Sequence, residues 1–241
     1  MAGEFVAWLG LPPEEQWLDV GCGTEALSQV TRERGAPEWV SGIDASEGFV
    51  AYARRRVVDG RCDFRVGSAQ ALPVADVEFG VAVAGLVLNF IPDKAKAVAE
   101  MKRATRGAGT VAAYDWDYAG EMQMMRHFWN AAGALDPTAV ELDEGRRFPT
   151  CHPDPLADLF RGAGQREVET RAIEVPTVFK DFEDYWSPFL GGQPPAPGYC
   201  MSLSGERRSA LREFIRTSLP ILANGSIHLI ARAWAVRGII S

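Results

Sequence analysis

Apolar residues along this chain gather in short dense runs, separated by stretches whose apolar positions recur at helical spacing. Runs at 16–21, 38–44, 62–66, 77–88 and 110–116 read as strands. Between them, 26–34 reads as a helix closed by Gly35. Ser46 caps a second helix whose Phe49, Val50, Ala53 and Val57 share one face, and Asp93 caps a third that turns Val98 and Met101 inward. The 77–88 run is almost purely apolar, as expected of a central parallel strand buried on both faces. This β-α-β-α rhythm predicts a Rossmann-like, doubly wound, mostly parallel sheet with right-handed crossovers.

The pattern changes after Trp116. Helical spacing marks 121–135, rich in Met and aromatic residues, then 154–163 and 206–219, where Leu211, Phe214 and Ile215 form the apolar side. Stretches 167–178 and 226–236 read as two more strands, which pair as an antiparallel edge and bring the sheet to seven strands. A turn-rich stretch spans Gly191 to Gly198. The expectation is a single domain over 1–241, with helical lid insertions at about 117–153 and 180–225 that form a substrate cover.

Composition narrows the function classes. A chain of 241 residues buries enough surface to need no disulfide or metal staple. The formal net charge of −7 argues against nucleic acid or an anionic membrane as the main partner. Arg54-Arg55-Arg56 reads as a solvated helix face. The four cysteines form no C-x-x-C pair and read as reduced thiols, with no metal site. No apolar run approaches the roughly 20 residues of a membrane span, so a cytoplasmic location is expected. Oligomeric state is not legible.

Ligands of doubly wound sheets bind outside the carboxyl ends of the strands. That singles out 19–26, 44–46, 67–70, 85–93 and 115–118. The strongest signal is Leu18-Asp19-Val20-Gly21-Cys22-Gly23-Thr24: a glycine turn admits a ligand close to the backbone, and the next helix offers free N–H groups. Asp44 lies 21 residues beyond Gly23, where a carboxylate can accept both ribose hydroxyls. Gly21-x-Gly23-x-x-Ala26 also fits a dinucleotide fingerprint, so an NAD-dependent oxidoreductase is an alternative. Asp19 separates the two, because its charge repels a pyrophosphate and tolerates an ammonium or sulfonium group.

With these residues the sequence resembles the class I S-adenosylmethionine-dependent methyltransferases, most closely the type 11 group that includes ubiquinone/menaquinone C-methyltransferases. Besides the glycine turn, the resemblance rests on Gly42-Ile43-Asp44-Ala45-Ser46, Gly67-Ser68-Ala69-Gln70-Ala71-Leu72-Pro73 and Leu86-Val87-Leu88-Asn89-Phe90-Ile91-Pro92-Asp93, in that order, over about 15–118. It implies S-adenosylmethionine as cofactor. The Asp19–Thr24 loop, with Gly21, Cys22 and Gly23, would hold the methionine part. Asp44 would bind the ribose, Ala45, Ser68 and Ala69 would meet the adenine, and Leu86 would wall the site. Three positions depart from the family: Glu25 stands where Gly is usual, Ser68 where Asp is usual, and Gly107-Ala108-Gly109 where Pro-Gly-Gly is usual. Glu25 either points to solvent or crowds the methionine site. Glu25 and Ser68 also leave open a protein that binds the cofactor and transfers little or nothing.

A sulfonium methyl is already activated, so the enzyme mainly aligns the acceptor and excludes water. A base is needed only if the acceptor must lose a proton. Candidate bases are Asp117, His152 and His127, with Asp115 beside Asp117 at the end of the fifth strand. Candidate substrate contacts are Asn89, Trp116 and Tyr185, and the aromatic insertions suit a small-molecule acceptor.

Overall fold

The computed structural model describes residues 1–191 and 195–241. The chain opens with α1 (Ala2–Leu9), then β1 (Gln16–Val20), α2 (Ala26–Arg34), β2 (Trp39–Asp44), α3 (Glu47–Arg56), β3 (Cys62–Val66) and β4 (Phe79–Gly85). It continues through α4 (Lys94–Ala104), β5 (Thr105–Trp116), α5 (Gln123–Leu135), α6 (Glu144–Arg147), α7 (Pro153–Gly162) and β6 (Arg166–Phe179). The last elements are α8 (Phe182–Trp186), α9 (Ala196–Ser202), α10 (Gly205–Ser218) and β7 (Ile227–Ile239). The strands form one seven-stranded sheet in the order β3-β2-β1-β4-β5-β7-β6, with β7 antiparallel. Strands β1 to β5 pair in parallel, and β1 lies between β2 and β4.

Local chemistry explains the helix starts. Ser46 Oγ accepts the Phe49 N–H at 3.3 Å, and Asp93 Oδ1 accepts the Lys96 N–H at 2.9 Å, so both caps lie at the expected positions. Gly164, at φ 75°, comes just after the end of α7 and turns the chain toward β6. Central β4 is buried from Phe79 to Ala84, which is why its sequence shows no polar alternation.

Contacts divide the chain into two compact units. The first comprises Met1–Asp115, His152–Ile173 and Trp234–Ser241, and the second Trp116–Cys151 and Glu174–Ala233. In the first unit Leu18, Val20, Ile43, Ala82, Ala84, Val98, Met101, Leu156 and Phe160 share one core. The second has its own aromatic core, in which Phe128 stacks on Phe189 with centroids 4.4 Å apart. The expected insertions at 117–153 and 180–225 lie in the second unit except for His152 and Pro153, which belong to the first. No helix among the described residues is long and apolar enough to cross a membrane.

Several local expectations need correction. Phe49 and Phe214 are more than one-third exposed, while Val50, Ala53, Leu211 and Ile215 beside them are buried. A helical face is wider than the stripe its neighbour covers. The turn-rich stretch ends earlier than expected: α9 begins at Ala196, with Pro195 preceding it, and 192–194 lie outside the described residues. Helix α1 carries no capping side chain, and the sequence pattern did not predict it.

Phe160 is fully buried in the first unit's core although its helix comes after the whole 116–151 segment. Phe160→Ala is expected to cost about 3–5 kcal/mol, the usual range for such a cavity, measured by urea unfolding with fluorescence and circular dichroism.

Candidate functional site

The site begins where β1 ends. Gly21 takes φ 73° and Gly23 φ 53°, a left-handed path that L side chains rarely adopt. A Cβ on Gly21 would lie 2.5 Å from Val87 Cγ2, so the turn is also too close to the loop after β4 for any side chain. The turn is fastened to the end of β2. Gly21 N–H and Cys22 N–H both donate to Ile43 O, at 2.7 and 3.1 Å, and Gly23 N–H donates to Asp44 Oδ2 at 2.9 Å. Asp44 Oδ1 accepts the Ser46 N–H at 2.8 Å. Each Asp44 oxygen keeps lone-pair capacity for a further donor.

Asp19 is set differently. It pairs across β1 with Gly42 on one side and Val83 on the other, which buries its carboxylate in the middle of the sheet. Ser28 Oγ donates to Oδ2 at 2.6 Å, while Oδ1 is buried with no hydrogen-bond partner among the described residues. Burial raises its pKa to about 6, with Asp44 and Glu25 adding to the shift. A buried carboxylate with one unmatched oxygen is suited to a cationic ligand group.

Two cavities meet at this turn. The larger, about 450 Å3, is lined by Asp19, Gly21, Cys22, Gly23, Thr24, Asp44 and Leu86 with several neighbours. The smaller, about 260 Å3, is lined by Gly21, Asp44, Ala45, Ser68 and Ala69 among others. Gly21, Asp44, Val87 and Phe90 border both. The structure therefore brings together all nine residues singled out around the glycine turn. It adds Phe49, Val87, Phe90 and Tyr114, to which the sequence assigned no role at the site. Val87 and Phe90 fall within the 85–93 stretch already singled out, and Phe90 is 61% exposed despite its size. Leu86 holds φ 59°, with its N–H on Tyr114 O at 2.7 Å.

Glu25 matches neither expectation. It points neither to solvent nor into these cavities: it is 2% exposed and lines neither cavity. Its backbone is left-handed, at φ 74° and ψ 17°, which accounts for glycine being usual there. Arg32 Nη2 pairs with Oε2 at 2.8 Å and Arg56 Nε with Oε1 at 3.0 Å. Ser68 Oγ accepts the Gln70 N–H at 3.1 Å and so shapes its own loop.

The remaining candidates separate sharply. Asp117 is buried and its carboxylate is fully engaged: Oδ1 accepts Gly120 N–H at 2.9 Å, and Oδ2 accepts Glu121 N–H at 3.0 Å and pairs with Arg232 Nη2 at 2.6 Å. That makes it a loop anchor rather than a base. Tyr185 lies in the aromatic core of the second unit with its hydroxyl on Met124 O at 2.8 Å, so it packs rather than presenting itself to a substrate. His127 is half-buried on α5, with its pKa lowered by burial, and His152 is exposed before α7. Trp116 is half-buried at the end of β5. Asn89 is buried in the short turn after β4, and its backbone N–H donates to Asp115. Asp115 is the carboxyl with unusual chemistry: it is 1% exposed, and burial raises its pKa to about 8 against the opposing pull of that N–H and of Lys94. Spacing cannot tell Asp115 from Asp117, because only the arginine on β7 decides which one is neutralised.

A seven-stranded sheet with this order, carrying acidic residues at the ends of β1 and β2 around a glycine turn, defines a class of nucleoside-binding fold. Residues 18–113 match a family model described as a methyltransferase domain. A demethylmenaquinone methyltransferase of Desulfitobacterium hafniense is 32% identical over 174 residues, covering 64% of this chain and 67% of that protein. A malonyl-[acyl-carrier protein] O-methyltransferase of Serratia marcescens is 32% identical over 117 residues, and there the match covers 48% of this chain and 44% of the relative. Among solved structures, a Bacillus halodurans protein described as a methyltransferase superposes with a TM-score of 0.65 over 99% of this chain and 97% of that one; at 14% identity this likeness is one of fold. The chain belongs to the class I S-adenosylmethionine-dependent methyltransferases, in the type 11 group. Its cofactor is S-adenosylmethionine.

The buried Asp115 has a measurable signature. Its folded-state pKa of about 8 lies above that of an unfolded aspartate, so its stabilising contribution is full below about pH 4 and is lost as pH rises through about 8. Asp115→Asn should therefore gain stability relative to the parent protein as pH rises from about 5 to 9, monitored by urea unfolding at each pH. A constant difference across that range would show that the carboxyl is not neutral at low pH.

Proposed function

We propose that this chain transfers the sulfonium methyl group of S-adenosylmethionine to a small-molecule acceptor, using the two cavities at the ends of β1 and β2 for the cofactor. The observation that carries this reading is the pair of differently set carboxylates at one glycine turn. Asp19, with a buried and unmatched oxygen, suits the cationic amino-acid end, and Asp44, held by two backbone N–H groups, suits the ribose hydroxyls. Gly21, Cys22 and Gly23 leave backbone close to the methionine part. Ala45, Ser68 and Ala69 surround the adenine side, and Leu86 walls the larger cavity. The residues thus fit the group: Gly21 keeps the backbone close, since a side chain there would collide with Val87, which borders both cavities, and the buried Asp19 Oδ1 has accepting capacity for a donor.

Bound S-adenosylmethionine supplies a methyl group already activated by its positive sulfur. The chain's own task is then to bind, orient and exclude water. Asp19 and Asp44 fix the two ends of the cofactor, and the apolar Val87 and Phe90 border the space between. Asn89 is the proposed acceptor contact in the first unit. A small-molecule acceptor is supported by the acidic net charge and by a relative named for demethylmenaquinone. Glu25, one of two features favouring binding without transfer, lines neither cavity, which weakens that alternative.

Calorimetry tests the reading. S-adenosylmethionine and S-adenosylhomocysteine should bind, and Asp44→Ala should weaken both by about 1.5–3 kcal/mol, the scale of a hydrogen bond to a charged group. Affinity should fall as pH drops below about 6, where Asp19 takes up a proton, and Asp19→Asn should abolish that dependence. Tight binding of NAD with no response to S-adenosylhomocysteine would refute the assignment.

A further inference from the structure

We infer that Glu25 is a positioning residue for the cofactor turn, acting through its ion pairs with Arg32 and Arg56 to hold a left-handed backbone that this chain does not build with glycine. The inference rests on the cofactor site proposed above. Three residues out of five in the turn are left-handed: Gly21, Gly23 and Glu25. Two are glycines and adopt that conformation freely. Glu25 does not, and a side chain there resists the same angles. Its N–H closes the turn on Cys22 O at 2.9 Å, and its carbonyl accepts the first helical bond of α2, from Gln29 N–H at 2.7 Å. If Glu25 left this conformation, both bonds would be lost, and Cys22, Gly23 and Thr24, which line the larger cavity, would be displaced.

Opposing that departure is the carboxylate. It is buried, and its two oxygens go to two different helices: Oε2 to Arg32 on α2 itself, and Oε1 to Arg56 at the far end of α3. A buried carboxylate cannot leave one guanidinium without desolvation loss, so the pairs fix the side chain and through it the backbone. Arg56 adds something Arg32 cannot. It connects the loop after β1 to the helix after β2, 31 residues away, and that helix carries the Ser46 cap and Phe49 at the other wall of the cavity. The inner fastening by Gly23 N–H and Asp44 is thus doubled by an outer, charged one. Being more than half exposed, the Arg56 end is open to screening by salt.

The test is a cycle of Arg56→Ala and Glu25→Gly in the full chain. Arg56→Ala alone should weaken S-adenosylhomocysteine binding roughly threefold to tenfold and speed amide exchange in the peptide covering 21–26 without ligand. In the Glu25→Gly background the turn needs no tether, so adding Arg56→Ala should change neither quantity further. Glu25→Ala, which keeps the Cβ and loses both pairs, should bind more weakly than Glu25→Gly. Raising salt from about 50 to 500 mM should mimic Arg56→Ala in the parent protein but not in Glu25→Gly. Two results overturn the inference: Arg56→Ala lowers the melting temperature yet leaves affinity and exchange unchanged, or it acts equally in both backgrounds. Failure of the parent protein to bind S-adenosylhomocysteine would instead refute the proposed cofactor site, and the exchange measurement on the free protein would still decide whether the tether exists.

Discussion

The site depends on how the chain leaves β1. At that point the backbone must reverse within the five residues 21–25, and its amides have no helical or sheet partner unless the neighbouring strand supplies one. The end of β2 does so: Ile43 O takes two N–H groups and Asp44 takes a third. Because β1 lies between β2 and β4, the same turn also passes against Val87 in the loop after β4, which leaves no room for a side chain at Gly21. The cavities result from this crowding. They are the space left where the loops after β1, β2, β3 and β4 approach without being able to fill the gap.

Charge is placed by the same geometry. Asp19 is inside the sheet and Asp44 is at its rim, so two residues of one chemical type acquire different characters. One is desolvated and easily protonated, while the other is hydrogen-bonded by backbone. Asp115 and Asp117 repeat the contrast at the end of β5. The first is buried with a raised pKa and the second is neutralised by Arg232. Environment distinguishes the members of each pair, and the residue letter does not.

Much of this was legible in the chain. The strand and helix succession up to Trp116 and the caps at Ser46 and Asp93 depend on short-range patterns, which a sequence displays directly, whereas Ala45, Ser68, Ala69 and Leu86 came from the resemblance to a family. What escaped depends on distant partners. Glu25 looked like an intruder because Arg56 lies 31 residues away. Asp117 looked like a base because Arg232 lies 115 residues away. Tyr185 looked available because its carbonyl partner, Met124, belongs to another helix. Phe49 was counted with the buried face of α3, where periodicity alone cannot say how much of a face a neighbour covers.

Every described residue lining the two cavities lies between Asp19 and Tyr114, one uninterrupted stretch of chain within the first unit. The match to the methyltransferase-domain family model, residues 18–113, covers nearly the same stretch. Substitutions beyond Trp116 therefore replace none of the described side chains that line these cavities.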